Sequence, residues 1–423
     1  MAESRMTESS RVETNWAGTH VFAAAVIHNP TSIDEARAIV AAADRIRPLG
    51  TRHSFNDIAD GIELLSLVDV APEAVVNGTG DATTVTVTGG TKYAAVASWL
   101  EERGLALHNM GSLPHISVAG ATSTATHGSG VTLGNLSTAV RALEFITPDG
   151  GLETISSDDP DFAGAAVALG ALGPIARVTL AVQPSYLVRQ DTFRGLSWDA
   201  LLADPIAVFS TGYSVSVFTD WVSEQSNVWV KTRLDDDPTV ADDLFGAPRE
   251  TGQRNVLDGV DNMTVQGGVP GPWSERLPHF RIDATPSNGD EIQTEYLVAL
   301  EDAAAALSAV RALAASIAPA LLISELRTVA ADDLWLSTAT GRDSLCIHFT
   351  WKNLPEAVHA VIPHIEAALA PFAARPHWGK VHAVDAATIE SLYPRLPDFR
   401  ALVARRDPAG KFGNTHLASL LGV

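Results

Sequence analysis

The chain has 423 residues, of which 46% are hydrophobic and 19% charged, and its net charge is -21 at neutral pH. That length predicts about two or three domains around a large core, and the acidity excludes nucleic acid, an anionic membrane surface or a polyanion as the main ligand, since each requires Lys/Arg patches. A single cysteine, Cys346, excludes an internal disulfide and a cysteine-rich metal site, while a neutral polar substrate is compatible with the composition.

The first residues, MAESRMTESSRVETNW, contain no apolar secretory core. No stretch reaches the ~18 apolar residues of a membrane span. The reading is a soluble, cytoplasmic protein. A first strand is expected over 20–27, then a helix over 33–46 that opens on a Ser32/Glu35 capping box. A turn, RPLGTRHSFN, follows at 47–56. Alternation of Thr and Val predicts a strand over 83–88, closed by Gly89 and Gly90. Residues 93–102 read as a helix with Val96, Trp99 and Leu100 inward.

Residues 109–130 come next and have a different texture. They are small and polar, with four glycines and a run of Ser, Thr and His. Without an apolar period they fit neither a core helix nor a half-buried strand. A loop of this length inside a compact domain is usually functional. Small residues let backbone N–H groups approach a ligand, and hydroxyls add donors without bulk. The stretch suits an extended nucleotide cofactor better than a lone phosphate. Beyond it, 142–147 and 152–156 form an expected hairpin around ProAspGlyGly, 160–169 a helix, and 176–182 a strand.

From Ser185 the texture changes again, with Trp198, Trp221, Trp229 and a Pro/Gly-rich loop at 266–273. A long alanine-rich helix is expected at 301–318, strands at 321–328 and 344–352, and helices at 355–370 and 386–393. The fold class is α+β, with an antiparallel sheet carrying helices on one side in the second half.

Several motifs are absent. No P-loop, H-E-x-x-H or G-x-S-x-G occurs, and Gly128 to Gly134 has the wrong spacing for a dinucleotide fingerprint. The thirteen histidines show no metal-ligand spacing, so no metal is expected. Three places remain that can carry chemistry. In LLISELRT, strand alternation puts Ile323, Glu325 and Arg327 on one face. A surface salt bridge would look the same. In SLCIHFTWK, Leu345, Ile347, Phe349 and Trp351 form an apolar face, opposite Cys346, His348, Thr350 and Lys352. If the two strands are neighbours, Glu325, Arg327, His348 and Thr350 converge. Lys380, in the loop Pro376–Lys380, is a surface lysine by default, or a base if burial lowers its pKa. His53, in the turn at 47–56, is either a turn histidine or a cofactor contact.

Together these stretches resemble the alditol oxidase group of the vanillyl-alcohol-oxidase type of FAD-linked oxidoreductases. The resemblance rests on GTRHSFND at 50–57, GSLPHISVAGATSTATHGSG at 111–130, SELR at 324–327, HFT at 348–350, PHWGK at 376–380 and DPAGKFGN at 407–414. It spans nearly the whole chain. It implies a two-part FAD-binding domain over 12–184, a substrate-binding cap over 185–375 and a C-terminal segment, 376–423, that completes the FAD domain. It implies FAD held covalently through His53. Further cofactor contacts are implied at Pro48, Leu49, Gly50, Thr51, Arg52, Ser54, Gly111, Ser112, Ser117, Gly120, Thr124, Ala125, Thr126, His127, Gly128, Ile175 and His377. Ala125 departs from the glycine of the pattern T-G-T-H-G-S-G and would place one methyl against the cofactor.

Ser112, Glu325, Arg327 and Thr350 are implied to bind substrate hydroxyls, with His348 in support and Lys380 as the base. Gly111 would leave room for O2. The implied partners are a small neutral polyol, such as xylitol or sorbitol, and O2, acting on a monomer that binds neither nucleic acid nor membrane. The product would be the aldose, with O2 reduced to peroxide. The alternatives are an aldonolactone oxidase and a non-catalytic flavin- or sugar-binding protein.

Overall fold

The computed structural model describes residues 13–235, 239–253, 262–284 and 290–423. Three sheets organise them. In the first, the parallel strands Val26–His28 and Arg47–Leu49 flank Glu63–Ser66. The helix Ile33–Ala42 joins the first two, and Ser32 caps it by accepting Glu35 N–H at 3.2 Å. Glu35 reaches back to Thr31 N–H at 2.8 Å, so the expected capping box closes one residue earlier than its usual form.

The second sheet is antiparallel, in the order Ala74–Asn77, Thr84–Thr88, Ile175–Ala181, Val140–Ile146, Leu152–Ser156. The last two strands form the expected hairpin. Val85, Val87, Leu143 and Val178 turn into a core shared with the helix Tyr93–Glu101, where Val96 and Leu100 are buried.

The third sheet has eight strands. Its order is Gly271–Pro272, Leu187–Ser197, Gln225–Arg233, Ser214–Thr219, Leu321–Val329, Ser344–Lys352, Glu291–Ala299 and Arg375–Pro376. Alternation sorts its side chains cleanly. Val215, Leu326, Ile347, Phe349, Trp351 and Tyr296 pack against the helices Ala303–Arg311 and Pro355–Leu369 through Leu307, Val310, Ile362 and Ile365. The opposite face, toward the other two sheets, is polar.

The C-terminal helices Ala386–Leu392, Leu396–Arg406 and Thr415–Leu421 leave this sheet and join the core of the second one through Ile389, Phe399, Leu402 and Leu417. Arg47 ties that return. Its guanidinium, 2% exposed, donates to the carbonyl oxygens of Ile58, Leu169 and Phe412. Burial pulls its pKa down to about 9.

Five sequence expectations change, the first being the helix over 33–46, which ends at Ala42 because Ala43 is extended (ψ 143°). The strand over 20–27 is confined to Val26–His28, because the residues before it bond instead to the side chains of Asn15 and Asp60. The helix over 160–169 shrinks to Phe162–Ala165, since Leu169 and Gly170 adopt left-handed backbone next to Arg47. The helix over 301–318 breaks into Ala303–Arg311 and Ala314–Ile317, a turn that brings Ile317 onto the core of Leu307 and Val310. Within 109–130, Val118–Ser123 is a short helix. Its small residues are buried on most sides and therefore show no apolar period.

Arg47→Ala would leave the carbonyls of Leu169 and Phe412 without their side-chain donor and that of Ile58 with only Asn414 Nδ2 at 3.4 Å. The expected loss of unfolding free energy is at least about 3 kcal/mol by chemical denaturation. An unchanged midpoint would refute the role given to this side chain.

Candidate active site

A continuous cleft runs between the polar face of the eight-stranded sheet and the other two sheets, with about 2030 Å³ of space between its walls, open solvent included. Its floor is built from the turn after Arg47–Leu49 and from the 111–127 stretch. Gly50 and Gly120 lie against each other there. A Cβ on either would fall 2.8 or 2.9 Å from Ser117 Oγ, so backbone rather than side chain faces the cleft. Ser117 Oγ itself is buried without a partner. A narrow backbone cradle with an unpaired hydroxyl suits a flat, extended ligand carrying a pyrophosphate, such as FAD, so these residues fit the implied cofactor.

His53 stands at one end of this floor. Its Nδ1 is 3.0 Å from Thr51 Oγ1, which also accepts Ser117 N–H at 3.1 Å. The Trp16 indole stacks on the imidazole at 5.4 Å and 24°. Burial lowers the His53 pKa to about 4, leaving a neutral ring at physiological pH.

Pro48, Leu49, Gly50, Thr51, Arg52, Ser54, Gly111, Ser112, Ser117, Gly120, Thr124, Thr126, His127, Ile175 and His377 all line the same cleft. Ala125 and Gly128 do not. Ala125 sits fully buried in left-handed backbone (φ 53°), and its methyl belongs to the core rather than to a cofactor contact. Gly128 is packed against Asn109, whose Oδ1 would lie 2.3 Å from an added Cβ.

The opposite wall comes from the sheet. Glu325 opposes His348 in register, and His348 opposes Glu295 on its other side. The two strands expected to be neighbours therefore are, and Glu325, Arg327, His348 and Thr350 converge with Lys380 on the cleft. The residue that gathers them is Glu295, 1% exposed. Its Oε1 lies 2.5 Å from His127 Nε2 and 3.7 Å from the Arg327 guanidinium. Its Oε2 lies 3.0 Å from His348 Nδ1 and accepts from Lys380 Nζ. Burial alone would raise the Glu295 pKa, but Lys380 and His127 more than offset it and hold the carboxylate well below its usual range.

The remaining contacts run along the sheet wall. Lys380 Nζ is also 2.8 Å from His348 Nδ1, and His348 Nε2 is 3.0 Å from Thr350 Oγ1. Burial lowers the Lys380 pKa despite Glu295. Arg327 donates to Ser112 Oγ at 3.1 Å, while its Nε is buried with no hydrogen-bond acceptor. Glu325 Oε1 faces His279 Nε2 at 2.6 Å. His127, Glu295 and Cys346 also bring three donor atoms within 4.8 Å of one another, but Lys380 and Arg327 place positive charge on the same carboxylate, which opposes a cation.

Sequence reasoning missed Glu295, His279 and Trp16. For Glu295 a signal exists. In EIQTEYLVA, Ile292, Tyr296 and Val298 alternate with Glu291, Gln293 and Glu295, the same pattern as in the His348 strand. His279 has none.

Residues 24–156 match the FAD binding domain family model, and residues 285–420 match that of D-arabinono-1,4-lactone oxidase. The sequence is 44% identical to an alditol oxidase of Streptomyces sp. (strain IKD472 / FERM P-14339) over 97% of this chain and 99% of that one. It is 32% identical to an L-gulono-1,4-lactone dehydrogenase of Mycobacterium tuberculosis over 98% of this chain and 100% of that one. Among solved structures, a cholesterol oxidase from B. sterolicum superposes with a TM-score of 0.78 at 14% identity, covering 97% of this chain and 96% of that one, which speaks for the fold alone.

His279 and His348 are both held near pKa 4 by burial, against an ordinary value near 6.5. The folded state therefore favours their neutral forms. This stability is complete above about pH 6.5 and is lost as pH falls toward about 4, because the unfolded chain binds the protons first. The thermal midpoint should fall over that window, and less steeply in His279→Gln. A midpoint independent of pH there would contradict the assignment.

Proposed function

The chain belongs to the alditol oxidase family of FAD-dependent oxidoreductases, and from that membership we propose that it oxidises the terminal primary alcohol of a small polyol to the aldose, using O2. The observation that carries this is the sorting of polar atoms on the cleft's sheet wall. Glu295 spends both oxygens on protein donors, whereas Glu325 Oε2 and the Thr350 hydroxyl, the latter bonded only to His348 Nε2, stand on the wall with capacity left over, and the Arg327 guanidinium lies between Glu295 and Glu325. A row of unspent donors and acceptors suits a chain of hydroxyl groups rather than a charged or apolar ligand.

In this reading the FAD cradle is the 48–54 turn together with 111–127, and His53 carries a covalent link to the cofactor. The neutral imidazole and the stacked Trp16 support that role. FAD, when bound, supplies the hydride acceptor and returns the electron pair to O2 as peroxide. The protein's work is placement and proton handling. Ser112, Arg327, Glu325 and Thr350 hold substrate hydroxyls, His348 braces Thr350, and Lys380 takes the proton of the reacting hydroxyl. The lowered pKa of Lys380 gives it a neutral fraction for that task, while Glu295 fixes its position. Gly111 leaves space for O2; a Cβ there would meet only ordinary contacts, at 3.6 Å from Ile116 and Thr126. We take the protein to be a cytoplasmic monomer.

Peroxide release with xylitol, sorbitol and an aldonolactone tests the reading. Polyols are expected to turn over faster, and a faster lactone would assign the protein to the lactone branch instead. Acid-precipitated protein is expected to stay yellow and His53→Ala to precipitate colourless; a yellow His53→Ala precipitate would remove the link from His53.

A further inference from the structure

Behind Glu325 lies a cation that the reaction just described leaves unused. Lys231, on Gln225–Arg233, is 1% exposed and forms no ion pair among the described residues. Its ammonium donates to the Leu277 carbonyl oxygen, sits 3.4 Å from that of Pro278, and lies 3.0 Å from His279 Nδ1. Burial lowers the Lys231 pKa to about 7, with Glu325 opposing the shift; in the ammonium form, which has three donors and no acceptor, Nδ1 of His279 must accept. The neutral imidazole then carries its proton on Nε2, which donates to Glu325 Oε1 at 2.6 Å. This commits one oxygen of Glu325 to the protein. The other has no protein partner among the described residues, on a side chain that lines the cleft.

The location of this chain of contacts says which part of a substrate it serves. Lys380 touches the Glu295 and His348 strands, whereas Glu325 lies one strand further across the sheet. Two strand spacings put it roughly 10 Å from Glu295. Past it the wall turns apolar, with Phe218, Trp229, Met263, Phe280 and Ile323 packed together and the Trp229 ring set edge-on to His279 at 5.1 Å. Glu325 is thus the carboxylate that borders this apolar part of the wall.

We propose that Lys231 is a positioning residue for the far hydroxyls of the polyol: it fixes the tautomer of His279, and His279 holds Glu325 with one oxygen bound inward and one presented to substrate. This rests on the polyol-oxidising reading above. It assigns selectivity between polyols and otherwise similar alcohols to a lysine that touches neither substrate nor cofactor.

The test compares xylitol with pentane-1,2-diol, a terminal diol of the same length without the far hydroxyls, on FAD-loaded enzyme. Lys231→Met is expected to raise the KM for xylitol roughly tenfold, with the KM for the diol and both kcat values moving less than about threefold. Lys231→Arg, which still donates to Nδ1, restores the preference. In a His279→Gln background, whose amide reaches Glu325 without help, adding Lys231→Met changes the xylitol KM less than about twofold. Should Lys231→Met not fold, His279→Asn, too short to reach Glu325, must lose the preference that Lys231→Arg keeps. Equal losses on both substrates, or an unchanged preference, would overturn the proposal. Wild-type enzyme is assayed first: failure to oxidise xylitol at all would overturn the polyol reading and this inference with it, and is distinct from a variant that leaves selectivity intact.

Discussion

One buried carboxylate organises the sheet wall of the cleft. Glu295 is surrounded by His127, His348, Arg327 and Lys380, which arrive from the 109–130 stretch, two strands of the eight-stranded sheet and the C-terminal segment. A carboxylate buried without these partners would be neutral or would unfold its surroundings. With them it stays charged, and each partner is held in one geometry by the same two oxygens. Removing any partner leaves the others misplaced, so the network acts as a unit.

The network also explains how two separately built halves form one site. The 109–130 stretch begins on the floor of the cleft and ends on the eight-stranded sheet, where Gly130 N–H bonds to Thr328 O at 3.0 Å and Ser129 Oγ accepts Thr328 N–H at 3.2 Å. Between these ends, Ser112 receives the N–H groups of His279 and Phe280 on its carbonyl and Arg327 on its hydroxyl. A single segment thus sets the height of the sheet wall above the floor of the cleft. On the far side Arg47 and the tail close the floor from beneath.

What was legible in the sequence follows from contrast between the two faces of an element. The His348 strand could be read because Leu345, Ile347, Phe349 and Trp351 are all large and apolar while their neighbours are not. The Glu295 strand carries the same alternation at its start, but Leu297 and Ala299 occupy the polar side further on, where Leu297 packs on Cys346 and Val329. That blurs the pattern. The helix Val118–Ser123 was hidden because every residue is small, and burial on several sides leaves no period to detect. His279 could not be found locally, since its place is set by backbone bonds to Ser112, far away in the chain. Trp16 was hidden in a polar N-terminal stretch and acquires its role only by stacking on His53.

The claim on which the rest stands is that Glu295 acts by holding donors in place, without touching substrate. The direct measurement is the anaerobic rate of flavin bleaching by xylitol in Glu295→Gln, alongside the flavin content of the same preparation. The amide keeps the shape but removes the charge that fixes Lys380 and Arg327. The account predicts full flavin content with a rate lowered by at least about a hundredfold. A rate within about threefold of wild type would contradict it.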